Sequence, residues 1–241
     1  MIGKHQGIVL RIFLWKESSY IASIFTQNEG KLSFLIPAAL ATKRKNTLGP
    51  LQVGYIIDFI GYIKANRNIQ KLTESSLHYA YTTIPYNPVS FLYLSLVIEL
   101  IDKSIREQDP NPFLYNSLKE YLITLDKGTQ NAYYLTLSFL IEVTRYLGFF
   151  PHIGGVLDPE RPIKFIITEG RFENTSSENP AARYLYQIVW QNQNPTHNSN
   201  NIELPKNYKL PVLRLLIDYF SAQVENFSPL NSLPVFLQIF S

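Results

Sequence analysis

The spacing of apolar residues changes once along this chain, at Pro85-Tyr86-Asn87-Pro88, and that change constrains the fold more than any other feature. Before it, apolar and polar residues alternate in short runs; after it, apolar residues recur every three to four positions. Alternation sends successive side chains to opposite faces of an extended strand, whereas a period near 3.6 lines one face of a helix. The chain therefore reads as α+β, with its strands gathered at the front and its helices behind.

In the first part, three alternating runs cover residues 7–15, 20–26 and 31–36. Ser18-Ser19 separates the first two, and Asn28-Glu29-Gly30 the next two, with Gly30 placed for the positive φ of a tight hairpin. A small-residue stretch over 37–48 follows. Two further runs, 51–63 and 68–76, are joined by the polar turn Lys64-Ala65-Asn66-Arg67. Five short strands with an insertion after the third match a small closed barrel of OB type.

In the second part, Val89, Leu92, Leu96, Leu100 and Ile101 share a helix face, and Asp109-Pro110-Asn111-Pro112 is expected to stop that helix. Asn111 then caps a second helix with Pro112 in its first turn, and Lys127-Gly128 ends it. A third helix over 132–147 is apolar nearly all round. A small β-hairpin turning at Glu169-Gly170 interrupts the helices, which resume over 180–191 and 209–224 around a polar loop and end in an amphipathic piece over 229–241. The domain reading is a barrel over 1–80 and a mostly α-helical domain over 81–241.

Charge is divided between these parts. Residues 1–78 hold ten Lys and Arg against four Asp and Glu, a net +6, and the remainder nets −3. A cationic first domain points to a polyanion as its partner. Lys43-Arg44-Lys45 is the densest basic cluster, in the connection after the third strand, where it can follow a phosphate backbone or serve solubility alone. Lys64 and Arg67 occupy the turn between the last two strands, where OB folds commonly clamp nucleic acid. Trp15 and Tyr62 adjoin turns and are the aromatics chosen for base stacking; the other barrel aromatics read mainly as core. In the helical domain, Phe139 and Arg145 are candidates for a groove that accepts an acidic, apolar peptide.

Several chemistries are excluded. Without cysteine there are no disulfides, thiolate zinc sites or Cys nucleophiles. His5, His78, His152 and His197 lie too far apart for a metal-ligand spacing. No phosphate-binding Gly-x-x-x-x-Gly-Lys-Ser/Thr loop and no Gly-x-Ser-x-Gly elbow is present, so the reading is a protein that performs no catalysis and uses no ATP of its own. Lys4 and Arg11 interrupt the first apolar residues too early for a signal peptide, and no apolar run spans a bilayer. The expected location is cytoplasmic.

Gly7-Ile8-Val9-Leu10-Arg11, Trp15-Lys16-Glu17-Ser18-Ser19, Phe25-Thr26 and Gly30-Lys31 together resemble the opening of the RecO family of recombination mediators. The stretch from Ala38-Ala39 through Leu48-Gly49-Pro50-Leu51-Gln52 resembles that family's next motif, and Tyr146-Leu147-Gly148-Phe149 with Pro151 resembles its later helix end. The resemblance implies a bacterial, nucleoid-associated DNA repair and recombination protein. Its implied activities are binding single-stranded DNA, annealing complementary strands and helping to load RecA together with RecR. It implies contact with the acidic tail of the single-stranded-DNA-binding protein, and it places Arg11, Lys16 and Lys31 on the DNA side of the barrel.

Two departures from the family pattern matter. Many relatives carry a structural zinc on Cys-x-x-Cys ligands after the Leu-Gly-Tyr motif, whereas Phe150-Pro151-His152-Ile153-Gly154-Gly155 offers one His and no thiolate, so no zinc and no other cofactor is expected. Ser138 stands where some relatives have a basic residue that helps hold the acidic tail, which leaves that docking site open. The rival reading is a protein-binding adaptor whose barrel never touches DNA.

Overall fold

The computed structural model describes residues 2–16, 19–37, 49–64, 67–106, 108–153, 157–158, 160–177, 179–194 and 204–240. They form two compact units, Met1–Ala132 and Tyr133–Ser241.

The first unit is built on five strands: β1 (Ile2–Trp15), β2 (Ser19–Thr26), β3 (Gly30–Pro37), β4 (Ile56–Tyr62) and β5 (Ile69–Leu77). They close into a barrel in the order β1-β2-β3-β5-β4, antiparallel throughout except for the parallel β3–β5 pair. Closure depends on the long β1. Its residues 7–15 pair with β2, its residues 2–8 pair with β4, and the register shifts between Val9 and Arg11 where the strand passes from one neighbour to the other. Such a bulge bends a strand and increases its twist, as a small barrel requires. Val9, Ile24, Phe34, Ile57, Phe59 and Leu72 fill the interior.

Two strand boundaries differ from the sequence reading. β1 begins at Ile2 rather than Gly7, because Lys4, His5 and Gln6 are held by pairing to β4 and not by an apolar pattern of their own. β4 begins at Ile56 rather than at residue 51, because Gly54 has φ +84° and donates its amide to Val9 O at 2.7 Å, turning the chain before the strand starts. A Cβ on Gly54 would lie 2.6 Å from Leu94 Cδ2, so this turn accepts no side chain. Gly30 has the expected positive φ, +73°.

After a 3-10 turn at Ile84–Tyr86 come α1 (Pro88–Ser104) and α2 (Pro112–Lys127). Asn87 Oδ1 accepts from the Val89 and Ser90 amides, Asn111 Oδ1 accepts from Leu114, and each is followed by a proline whose missing N–H costs a helix start nothing. α1 ends at Ser104, short of the expected stop at Asp109, because Ile105 turns extended (φ −97°, ψ 140°).

These helices cover part of the outer barrel wall. Phe25 meets Tyr115 edge-on at 5.7 Å, and the Lys31 amine donates to the carbonyl of Asp102 at 2.6 Å. The carboxylate of Asp126, fully buried near the end of α2, accepts from the amides of Thr82, Thr83 and Ile84 and from the hydroxyls of Thr82 and Tyr79. Burial alone would raise its pKa; the Ile84, Thr82 and Thr83 amides and the Tyr79 hydroxyl outweigh that and hold it below the ordinary carboxylate value. The segment leaving the barrel is thereby fastened to α2. The first compact unit therefore takes in α1 and α2 and runs to Ala132.

The second unit holds α3 (Ala132–Tyr146), the hairpin β6 (Ile163–Ile166) and β7 (Arg171–Asn174), then α4 (Pro180–Gln193), α5 (Lys206–Gln223) and α6 (Ser232–Phe240). α5 starts three residues before the expected position, so Pro211 falls inside it. The hairpin is seated on an aromatic cluster: Phe165 contacts Phe172 at 4.6 Å and Tyr219 at 5.0 Å, and Tyr219 contacts Phe149 at 5.5 Å. The Tyr219 hydroxyl donates to Phe149 O at 2.5 Å, and burial pushes its pKa up to about 12.

Candidate nucleic-acid interface

Residues paired directly across a ladder present side chains to the same face. Followed from strand to strand, the outer face of the barrel carries one continuous row: Tyr62 on β4 opposite Lys71 on β5, Lys71 opposite Leu35 on β3, Leu35 opposite Ile21 on β2, and Ile21 opposite Phe13 on β1. Four inter-strand steps make this row about 19 Å long. Tyr62, Lys71 and Phe13 are exposed, Leu35 is half-buried, and Ile21 is buried between them. Arg11 and Trp15 flank Phe13 two residues to either side on the same face of β1, and both are exposed. The Arg11 guanidinium lies 5.4 Å from the centre of the Phe13 ring.

Loops extend the row at both ends. Lys16, in the left-handed region at φ +56°, starts the β1–β2 turn beside Trp15 and is exposed. Lys64 and Arg67 are exposed at the ends of the β4–β5 loop beside Tyr62. That loop is braced from below by the buried Gln70, whose side chain accepts from the Lys64 amide at 2.9 Å and donates to the carbonyls of Lys64 at 3.0 Å and Arg67 at 2.7 Å. One row thus gathers Arg11, Trp15, Lys16, Tyr62, Lys64 and Arg67. It also adds Phe13 and Lys71, which sequence reasoning did not select. Only the register of β4 on β5 and of β3 on β5 reveals that Lys71 adjoins Tyr62, and a sequence does not display a register between strands.

Lys31 does not join them. Its side chain is turned onto the end of α1, where it satisfies the Asp102 carbonyl and approaches the Asp102 carboxylate at 3.5 Å. Lys43, Arg44 and Lys45 lie outside the described residues. On α3, Phe139 is buried at 4% exposure while Arg145 is exposed and lies over the Phe150 ring at 4.1 Å, so the two face different surroundings.

The β1–β4–β5 side of the barrel is different in kind. A cavity of about 600 Å³ there is lined by Lys4, His5, Gln6, Asp58 and Glu74 among others, a mixture of both charges. Beside it Lys119 donates to Gln6 Oε1 at 2.7 Å, Tyr115 donates to the same oxygen at 3.2 Å, and Gln6 Nε2 donates to Asp58 Oδ1 at 3.1 Å. His78 places Nδ1 3.0 Å from Asp58 and Nε2 3.0 Å from the Lys119 amine. Burial pushes the pKa of Asp58 up, and hydrogen bonds from Gln6 and His78 bring it below the ordinary value. His5 stacks on Phe59 with its Nε2 buried and without a partner among the described residues, and desolvation lowers its pKa.

A closed five-stranded barrel with a single parallel pairing, followed by helices and one small hairpin, defines an OB-fold protein of the α+β class. The family model for the N-terminal part of recombination protein O matches residues 1–81, and the model for its C-terminal part matches residues 86–234. The chain belongs to the recombination protein O family, a family of DNA repair proteins. Among its relatives, the DNA repair protein RecO of Flavobacterium psychrophilum is 26% identical over 246 residues, covering 99% of both chains. The RecO of Bacteroides fragilis is 23% identical over 245 residues with complete coverage of both. That of Chlorobium phaeobacteroides is 30% identical over 154 residues, 64% of this chain and 58% of the relative.

A structural zinc of the kind the resemblance raises does not fit the residues present. The stretch after α3 supplies His152 alone, exposed and with its backbone bridged to Arg171, and the chain has no thiolate. Among the described residues no group of three or more His, Asp or Glu is arranged to hold a metal. The hairpin that follows is seated on Phe149, Phe165, Phe172 and Tyr219 instead. No described helix is long and apolar enough to cross a membrane.

Proposed function

We propose that the protein binds single-stranded DNA along the row from Lys64 and Arg67 to Arg11 and Trp15, and uses that surface to anneal complementary strands. The observation that carries this reading is the row itself: exposed cations lie beside exposed aromatics at both of its ends, Lys64, Arg67 and Lys71 with Tyr62, and Arg11 and Lys16 with Phe13 and Trp15, the two ends being joined through Leu35 and Ile21. Cations that track phosphates supply affinity without reading sequence, and aromatic faces stack bases at about 1–3 kcal/mol each. Annealing needs no bond chemistry. A cationic face that screens two phosphate backbones while leaving base edges free lowers the repulsion between the strands, so the protein acts without a catalytic site, a metal or another cofactor.

In this reading the Lys43-Arg44-Lys45 segment adds further phosphate contacts. The second unit serves protein partners: RecR, with which the protein helps load RecA, and the acidic tail of the single-stranded-DNA-binding protein. Arg145, exposed on α3, is the anion anchor available to that tail, and Phe139 contributes to the helix core. The site of action is the bacterial nucleoid. The pure adaptor reading lacks a reason for exposed Trp15, Phe13 and Tyr62 to lie among unburied cations.

The test is annealing of complementary labelled oligonucleotides by the full chain, alongside a variant with Lys64, Arg67 and Lys71 replaced by Glu. The variant is expected to lose both annealing rate and DNA affinity. Unchanged rate and affinity in the variant, or wild-type protein that does not retain single-stranded DNA at low salt, overturns the proposal.

A further inference from the structure

Asp102 is placed where a helix disfavours an acid. It lies in the last turn of α1, whose carbonyl end carries the negative pole of the helix dipole. Its carboxylate is nevertheless mostly buried, with the Arg11 guanidinium 3.7 Å from Oδ2 and the Lys31 amine and Ser23 hydroxyl each 3.5 Å from Oδ1. The two cations differ in how firmly they are held. Lys31 is only 12% exposed and also donates to the Asp102 carbonyl, so it stays in place whatever the carboxylate does. Arg11 is 63% exposed, approaches Asp102 with its Nε at 3.7 Å, and leans over Phe13 in the row described above.

From this geometry we infer that Asp102 occupies the place of a DNA phosphate against Arg11 in the free protein, and that the incoming backbone must displace it. The inference rests on the proposed DNA-binding row and adds a regulatory contact to it. A carboxylate and a phosphate present the same kind of anionic oxygens to a guanidinium, and they compete for it. Occupation by Asp102 orients Arg11 beside Phe13 before binding and lowers affinity for DNA, since one cation must first leave its internal partner. Asp102 is therefore a positioning residue that weakens binding, an effect opposite to that of its neighbours in the row. A protein that must hold single strands and then release them into a duplex gains from such a built-in competitor.

The experiment compares wild type, Asp102→Asn, Arg11→Gln and the double variant, as full chains, binding labelled oligothymidine at 50 and 200 mM salt. Asp102→Asn keeps the oxygen that faces Lys31 and Ser23 while removing the charge, and its melting temperature is recorded in parallel. The single variant is expected to bind about three- to tenfold tighter at 50 mM salt, with a log–log salt slope steeper by about 0.7, so that the advantage shrinks about threefold by 200 mM. In the Arg11→Gln background the same change is expected to yield no gain. Equal or weaker binding by Asp102→Asn, or a gain that persists without Arg11, overturns the inference while leaving the DNA-binding row intact. Wild-type protein that fails to bind at 50 mM salt overturns the row itself.

Discussion

The two sides of the barrel carry similar residue types to different ends. On the β1–β4–β5 side, Lys119, His78, Gln6 and Asp58 satisfy one another through hydrogen bonds of 2.7–3.1 Å. Across the row from Tyr62 to Phe13, Lys71, Lys64 and Arg67 are exposed beside aromatics. The difference teaches that a basic residue count does not locate a polyanion surface; what matters is which cations are already held by internal partners. An internally paired cation loses one partner to gain another, whereas a solvated one releases only counter-ions.

The strongest way to break this comparison is to reverse charge on each side in turn. Replacing Lys64, Arg67 and Lys71 together by Glu is expected to weaken oligothymidine binding about a hundredfold or more at 50 mM salt, because three phosphate contacts become three repulsions. Replacing Lys4 by Glu, on the cavity side, is expected to change affinity less than about twofold. Equal losses in fluorescence anisotropy titrations of the two variants would erase the distinction between the faces.

Next in size are the aromatics. Tyr62→Ala and Trp15→Ala are each expected to cost about 1–3 kcal/mol of DNA binding, a factor of about ten in the middle of that range, with the salt slope unchanged because no phosphate contact is removed. A change in slope without a change in affinity at high salt would mean these rings act through their neighbours and not through bases.

Asp126 sharpens the comparison from a third direction, since it anchors the helices and touches neither face. Asp126→Asn is expected to lower stability by about 1–3 kcal/mol while leaving DNA affinity unaltered. Its folded pKa lies below the unfolded value, so its contribution is complete above the ordinary carboxylate pKa of about 3.9 and drains away as pH falls through the folded value. Denaturant melts at neutral and acidic pH should therefore show the difference between wild type and variant narrowing under acid. A constant difference would mean the carboxylate charge contributes nothing.

The helices were the more legible part of the sequence. Asn-Pro opens three of them, at Asn87-Pro88, Asn111-Pro112 and Asn179-Pro180, and in all three the asparagine oxygen accepts from helix amides. A cap and its proline are local signals, readable without knowing what packs nearby. The five strands were legible as runs, but not the full reach of β1, since Lys4-His5-Gln6 shows no alternation and is extended only through its partner β4.

The candidate site was legible in part for the same reason. Trp15, Lys16, Tyr62, Lys64 and Arg67 adjoin turns, which are local features, and the structure gathers them. Lys31 sits on a strand whose outer face is covered by a helix end 71 residues further along, so its alternation pattern could not show that it is occupied. Lys71 and Phe13 entered the site through cross-strand register, which is a property of the closed sheet and not of either run.

The central claim is that the exposed cations of this row hold single-stranded DNA by its phosphates. It is tested most directly by titrating labelled oligothymidine with the full chain at a series of salt concentrations. For about five phosphate contacts the slope of log affinity against log salt is predicted near −3.5, a loss of about a hundredfold between 50 and 200 mM. Affinity that stays level across that range would contradict the account.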